Sequence, residues 1–299
     1  MRRVEYLAPA SLVEAVTLLA EDPARRLLAG GTDLIGQIKE RGLRPSAVIS
    51  LRRLDQLAGI TATADGGLRI GATALLADIA EHPDVRRYYA AVAEGAAYIG
   101  SLQTKNMATL GGNCCNAAPS ADGAPGLLVH EAVATVAAPD GHGGVRLRDL
   151  PIEELFLGPG KTALAPGELL VAFTLPPPPA RPSGSAYARH TPRKEMDIAV
   201  AGAAVRIDLD TAGRVAEARV ALSAVAPRPI RARSAEALLR GTTLDEAAVG
   251  RAAAAAAEDS SPIDDQRGSA TFRRELVRVL TARMIRRAAA RARNEETVA

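Results

Sequence analysis

The chain reads as an α+β protein in three parts. Three features predict this. Residues 11–51 alternate helix, strand, helix and strand patterns. From about Leu57 onward, short strands and Ala-rich helices are punctuated by glycine pairs. Four consecutive prolines, Pro176–Pro179, then precede two long apolar strands and a set of helices.

The elements follow in chain order. SLVEAVTLLAE (11–21) is a helix: Ser11 and Glu14 form an S-x-x-E capping box, and Leu12, Val13, Val16 and Leu19 make the apolar face. Asp22-Pro23 stops it. Residues 26–29 predict a short strand, and Leu34, Ile35 and Ile38 a short helix ended by Gly42 and Pro45. Residues 47–51 form another strand, and this order predicts a small sheet with parallel strands. Further on, residues 68–71 predict a strand, 73–80 and 85–95 two helices, 132–138 a strand closed by the turn 140–144, and 168–175 a strand. The tetraproline is stiff and cannot join a helix or a central strand. Beyond it, 198–209 and 215–225 predict strands around the turn at Thr211, and 235–240, 244–258 and 271–293 predict helices. The expected units are 1–57, 58–176 and 177–299.

Composition narrows the function. Of 299 residues, 47% are apolar and 24% charged, as in a folded globular protein. Net charge is +3, and the scattered Arg alternate with Asp and Glu, so there is no basic stripe for nucleic acid. No apolar stretch reaches the ~18 residues of a membrane span. The start, MRRVEYLAPA, lacks the long apolar core of a signal peptide, so the chain is expected in the cytoplasm. Its two cysteines, Cys114 and Cys115, are too few for an iron–sulfur cluster and are expected as small buried residues. The four histidines show no metal-ligand spacing, so neither a metal site nor a catalytic acid–base pair is predicted.

Two glycine turns carry the chemistry. Ala29-Gly30-Gly31-Thr32-Asp33 lies between a strand and a helix, where bare backbone N–H groups can hold an anion. The patterns G-x-x-x-x-G-K-[ST] and G-x-G-x-x-G are both absent. Alone, the segment is an ordinary tight turn. A second turn, in NMATLGGNCCNAAPSADG (106–123), surrounds Gly111 and Gly112 with Thr109, Asn113 and Asn116. Two phosphate-sized cradles suit a long diphosphate such as that of FAD. Asp33 and Asp122 also have a plain reading as helix N-caps.

These residues resemble the FAD-binding medium subunit of the molybdenum hydroxylases, the xanthine dehydrogenase and aerobic carbon monoxide dehydrogenase family. The resemblance rests on five ordered blocks: LLAGGTDL (27–34), IGSLQTKNMATLGGN (99–113), AAPSADGAPGLLVHEA (117–132), ELFLGPGKTAL with GELLVAFTLP (154–176), and SAYARHTPRKEMDIAVAGAAVRI (185–207). It implies a two-part FAD-binding domain of the vanillyl-alcohol-oxidase type. A small, mostly parallel sheet is joined to an antiparallel one. A C-terminal α+β domain with a three-stranded antiparallel sheet and a helix bundle follows. By position, Ala29, Gly30, Gly31, Thr32, Asp33 and Leu34 should wrap the FAD diphosphate and ribityl chain. Thr109, Gly111, Gly112, Asn113 and Asn116 should hold it from the other side. Asp122 should lie near the flavin, and Ile99 with Leu169 or Leu170 should flank the rings.

The resemblance further implies an oxidoreductase subunit that uses FAD for electron transfer and has no catalytic side chain of its own. A large subunit would carry the molybdenum cofactor and a small one two [2Fe–2S] clusters, in a dimer of heterotrimers. The small subunit should dock around Ile99–Asn106 and the C-terminal domain, with Lys105 and Arg189 on that face. Two other readings stay open. One is a self-contained FAD-dependent reductase, with Tyr187 or Glu195 as proton donor. The other is a non-catalytic nucleotide-binding subunit.

Overall fold

The computed structural model describes residues 3–296; Met1, Arg2 and residues 297–299 lie outside it. The first part runs β1 (Glu5–Leu7), α1 (Leu12–Glu21), β2 (Arg26–Leu28), α2 (Leu34–Glu40) and β3 (Ala47–Ser50). Its sheet has the order β1-β3-β2, parallel throughout, as the helix–strand alternation predicts. The cap forms, with the return bond one residue earlier than in a standard capping box. Ser11 Oγ accepts the Glu14 N–H at 3.1 Å, and Glu14 Oε2 accepts the Ala10 N–H at 2.8 Å. Helix α1 buries Ala15 and Val16 against Leu51, Leu54, Leu57 and Leu169.

The second part contains β4 (Ile60–Ala62), β5 (Leu68–Gly71), α3 (Leu76–Glu81), α4 (Pro83–Tyr88), α5 (Ala90–Tyr98), α6 (Leu102–Lys105), α7 (Leu110–Cys115) and α8 (Gly123–Val129). Then come β6 (Val133–Pro139), β7 (Val145–Pro151), α9 (Ile152–Leu155), β8 (Phe156–Gly158), β9 (Lys161–Thr162) and β10 (Leu169–Leu175). Its main sheet is antiparallel, in the order β4-β5-β10-β6-β7. The helix expected over 85–95 is two helices. Tyr89 breaks it, with φ −130° and ψ 44°, and its buried hydroxyl donates to the Pro176 carbonyl at 2.7 Å. The helix expected over 73–80 begins later, at Leu76. Helices α5 and α8 pack backbone to backbone: a Cβ on Gly126 would stand 2.7 Å from the Ala91 oxygen. That contact is the reason for the Ala and Gly bias of both segments.

The third part runs β11 (Ser183–His190), β12 (Ala201–Leu209), β13 (Val215–Ser223), β14 (Ile230–Arg231), α10 (Arg233–Leu239), α11 (Glu246–Asp259) and α12 (Ala270–Ala292). Three long antiparallel strands form the expected sheet, and the two-residue β14 adds a short fourth at its edge. Helix α12 lies directly on β11, for a Cβ on Gly184 would meet the Ala288 oxygen at 2.3 Å. Among the described residues, no helix is long and apolar enough to cross a membrane.

The second and third parts share a core. Tyr187, Ala204 and Ala221 join the hydrophobic cluster of the second part. His130 sits at this seam, 2% exposed, with Nε2 3.0 Å from Ser185 Oγ and its ring edge-on to Tyr89 at 5.1 Å. Burial, then Arg206 and Arg219, hold its imidazole well below the ordinary value of 6.5. The folded chain therefore keeps it neutral, whereas the unfolded chain takes up the proton near pH 6.5. Stability from this group is complete above that pH and falls as pH drops beneath it, by at most about 1.4 kcal/mol per pH unit. Thermal unfolding between about pH 7.5 and about pH 5 should show the fall, and His130→Gln should flatten it. Parallel profiles for the two proteins would remove His130 as its source.

Candidate functional site: a cavity with a row of free backbone donors

A cavity of about 580 Å³ opens where β2 passes into α2, faced by the start of α7 and by the segment leading into β10. The size suits a small-molecule or cofactor site. It gathers Ala29, Gly30, Gly31, Thr32, Asp33, Leu34, Ile99, Thr109, Gly111, Gly112, Asn113, Asn116 and Leu170. Leu27, Leu51, Leu76 and Leu164 extend the apolar lining.

The two expected cradles differ in kind. In the first, Gly31 has φ +78°, a conformation that favours glycine. Gly30 is packed so tightly on the second segment that a Cβ would lie 1.9 Å from the Met107 oxygen. The backbone N–H groups of Gly30, Gly31, Thr32, Asp33 and Leu34 donate to no acceptor among the described residues. Asp33 occupies the N-cap position of α2 without a side-chain cap bond, so the plain capping reading does not hold for it. Desolvation raises its carboxyl above the ordinary range, and Arg41 opposes that shift.

The second cradle is not a glycine turn. Gly111 and Gly112 lie in the first turn of α7, whose N-cap is Thr109. Their donors are already spent. Leu110 N–H reaches the Ala74 oxygen at 3.3 Å and Gly111 N–H the Ala72 oxygen at 3.0 Å, while Gly112 N–H reaches Thr109 Oγ1 at 3.0 Å. A Cβ on Gly111 would fall 2.4 Å from the Ala72 oxygen, so this glycine serves packing inside the protein. What the segment presents to the cavity is side chains. Asn113 Oδ1 accepts the Gly123 N–H at 3.2 Å, and Asn116 Oδ1 accepts from Gln37 Nε2 at 3.3 Å. Each amide keeps its NH₂ group for a ligand.

A third wall lies beside the two glycine segments and outside the residues named for the site. Thr162, Leu164, Ala165, Pro166 and Gly167 line the cavity, as does Gln37 from α2. Glu168 holds this wall in place. Its carboxylate takes Arg148 Nε and Nη2 at 2.7 and 2.6 Å and the Ala165 N–H at 2.8 Å. The Arg148 bonds hold its carboxyl below the usual range.

Several expectations are corrected. Leu169 is 0% exposed and faces the opposite side of β10, against α1, so Leu170 alone of the pair reaches the cavity. Asp122 is not on the cavity and does not cap α8. It is buried, with Oδ1 accepting the Tyr187 hydroxyl at 2.6 Å and Oδ2 paired with Arg189. The Arg189 side chain is 3% exposed and cannot serve as a docking contact, whereas Lys105 is half-buried, with Nζ donating to the Ala97 carbonyl at 2.9 Å. Cys114 is buried as expected, but Cys115 is exposed and lines the cavity. Tyr187, fully buried, is no accessible proton donor.

Comparisons with known proteins match nearly the whole chain. The family described as "FAD binding domain in molybdopterin dehydrogenase" matches residues 2–178, and "CO dehydrogenase flavoprotein C-terminal domain" matches 186–288. The chain is 36% identical over 287 residues to a putative xanthine dehydrogenase FAD-binding subunit of Escherichia coli K12, covering 96% of each. It is 33% identical over 298 residues to the carbon monoxide dehydrogenase medium chain of Afipia carboxidovorans, covering 97% of this chain and 98% of that one. Its structure is similar to a chain of carbon monoxide dehydrogenase from Hydrogenophaga pseudoflava. The TM-score is 0.90 at 33% identity, over 97% of this chain and 98% of the other.

The glycines can be separated experimentally. Gly30→Ala drives a methyl into the Met107 carbonyl and should cost on the order of 1–3 kcal/mol. Gly112→Ala meets only the Thr109 hydroxyl, at 2.9 Å, and should cost less. Thermal unfolding of both variants checks the order, and equal shifts would contradict it.

Proposed function

This chain belongs to the family of FAD-binding subunits of the molybdopterin dehydrogenases, and from that premise we propose that it is the electron-transfer flavoprotein of such a complex. It would receive electrons from two [2Fe–2S] clusters in a small subunit and pass them to an external acceptor. A large molybdenum-cofactor subunit would carry out hydroxylation. The observation that carries the reading is the row of five unspent N–H groups, Gly30 to Leu34, on the wall of an otherwise largely apolar cavity.

These residues fit FAD. A diphosphate needs a cluster of donors, and the neutral N–H groups supply one, with Arg25 and Arg26 also on the lining. In this reading Gly30, Gly31, Thr32, Asp33 and Leu34 hold the diphosphate through their backbone. Thr109, Asn113 and Asn116 close on it from the second segment through side chains. Leu76, Ile99, Leu164 and Leu170 exclude water from the rings. Bound FAD supplies an exchange between one-electron and two-electron carriers, and the protein positions it. Asp33, whose carboxyl is raised, sits where a nearby phosphate would raise it further.

We place the docking face for the small subunit at Ile99–Asn106, where Leu102 is 67% exposed and Met107 beside it 47%. The assembly is proposed as a dimer of heterotrimers in the cytoplasm, with 1–57, 58–176 and 177–299 as the units of this chain. A self-contained reductase is disfavoured. Tyr187 is buried and bonded to Asp122, and Glu195 is exposed on a loop away from the cavity lining.

Added FAD should remain with the chain through gel filtration and be released on denaturation. Asn113→Asp places a negative charge against the diphosphate and should weaken binding by roughly tenfold or more. Wild-type affinity in that variant would contradict the assignment. In the complex, Leu102→Asp together with Lys105→Glu should reduce copurification with the small subunit. Unchanged assembly would move the docking face elsewhere.

A further inference from the structure

No described residue of the third part lines the cavity, yet one of its side chains bonds to two segments that border it. We propose that Arg189, seconded by Tyr187, is a positioning residue through which the C-terminal domain sets the shape of the FAD site. This rests on the FAD reading above.

Arg189 projects from β11 with its side chain 3% exposed. Nη1 pairs with Asp122 Oδ2, and Nη2 donates to the Tyr98 carbonyl at 2.9 Å. The guanidinium also lies 5.4 Å from the centre of the Tyr98 ring. One planar group thus ties two segments that are distant in sequence. Each is next to a wall. Tyr98 ends α5, and the following residue, Ile99, lines the cavity. Asp122 precedes Gly123, whose N–H holds Asn113 Oδ1 at 3.2 Å and so fixes the amide that faces the cavity.

Two further bonds from the same domain fix this segment. The Tyr187 hydroxyl donates to Asp122 Oδ1 at 2.6 Å, and the Ala224 N–H donates to the Pro119 carbonyl at 2.7 Å. The chain between Asn116 and Gly123 is therefore held from the C-terminal side. Losing Arg189 strands a buried carboxylate and frees the end of α5. Arg189→Lys keeps the charge but lacks the fork that reaches both partners.

A buried pair elsewhere on the same sheet provides the control. Arg206 donates to Asp208 through Nε and Nη2, both at 2.9 Å, with side chains 9% and 5% exposed. Neither residue bonds to the cavity walls. Arg206→Met removes a comparable buried charge without touching Ile99 or Asn113.

The experiment titrates FAD into the full chain and records affinity and the visible absorption of the bound flavin. The proteins are wild type, Arg189→Met, Arg189→Lys, Tyr187→Phe and Arg206→Met. Arg189→Met should weaken FAD by roughly tenfold or more and shift the flavin bands. Arg189→Lys and Tyr187→Phe should do so to a smaller degree, and they carry the test where Arg189→Met does not fold. Arg206→Met should lower the melting temperature and leave affinity and spectrum unchanged. Wild-type affinity and spectrum in all the Arg189 and Tyr187 variants would overturn the inference. So would equal losses in Arg189→Met and Arg206→Met, which mark a merely structural role. A wild-type chain that takes up no FAD, alone or assembled, overturns the FAD reading and this inference with it.

Discussion

The site depends on one close approach. Gly30, at the end of the small parallel sheet, lies against the Met107 carbonyl with no room for a side chain between them. This contact joins the first part of the chain to the second. The cavity is the space left beside it. Tight packing there also divides the labour. The start of α7 is locked to Ala72 and Ala74 by its own N–H groups, so it forms a stiff wall. The opposite loop, held open by Gly31, keeps its donors unspent. A protein rarely leaves so many backbone donors without partners unless water or a ligand takes them.

Behind the cavity, buried charge sets the geometry. Asp122 with Arg189, Glu94 with Arg291, and Glu236 with Arg231 all lie at or near the seam between the second and third parts. Such pairs add little net stability, since desolvation offsets most of their attraction. Removing one partner is a different matter and typically costs about 3–5 kcal/mol. Their effect is to fix how the two parts meet, and the walls of the cavity are extensions of that seam. A domain with no described residue in the lining can still bear on its shape.

What the sequence showed and what it hid follow from the range of each signal. The cap of α1, the parallel strands β2 and β3 and the loop at Gly30–Asp33 rest on local caps, spacing and turn chemistry, and all were legible, whereas the three-residue β1 was not. The glycine pair at 111–112 misled because glycines suggest a turn. The competing signal was Thr109 three residues before Gly112, the spacing of an N-cap bond, and it prevailed. Leu169 and Leu170 could not be told apart, since the choice depends on which face of β10 packs against α1. Strands β7 and β11 escaped notice because one is charged at the sheet edge and the other is built of small and polar residues. The place of Asp122 is set by Tyr187 and Arg189, more than sixty positions later, and no local pattern carries that.

The central claim is that the free donors of the first loop hold the cofactor. Residue-resolved amide hydrogen exchange, with and without FAD, tests it most directly. The account predicts that the amides of Gly30 to Leu34 exchange freely in the apoprotein and become strongly protected when FAD binds, while those of Gly111 and Gly112 are already protected without it. Tight FAD binding with no added protection at Gly30–Leu34 would contradict it.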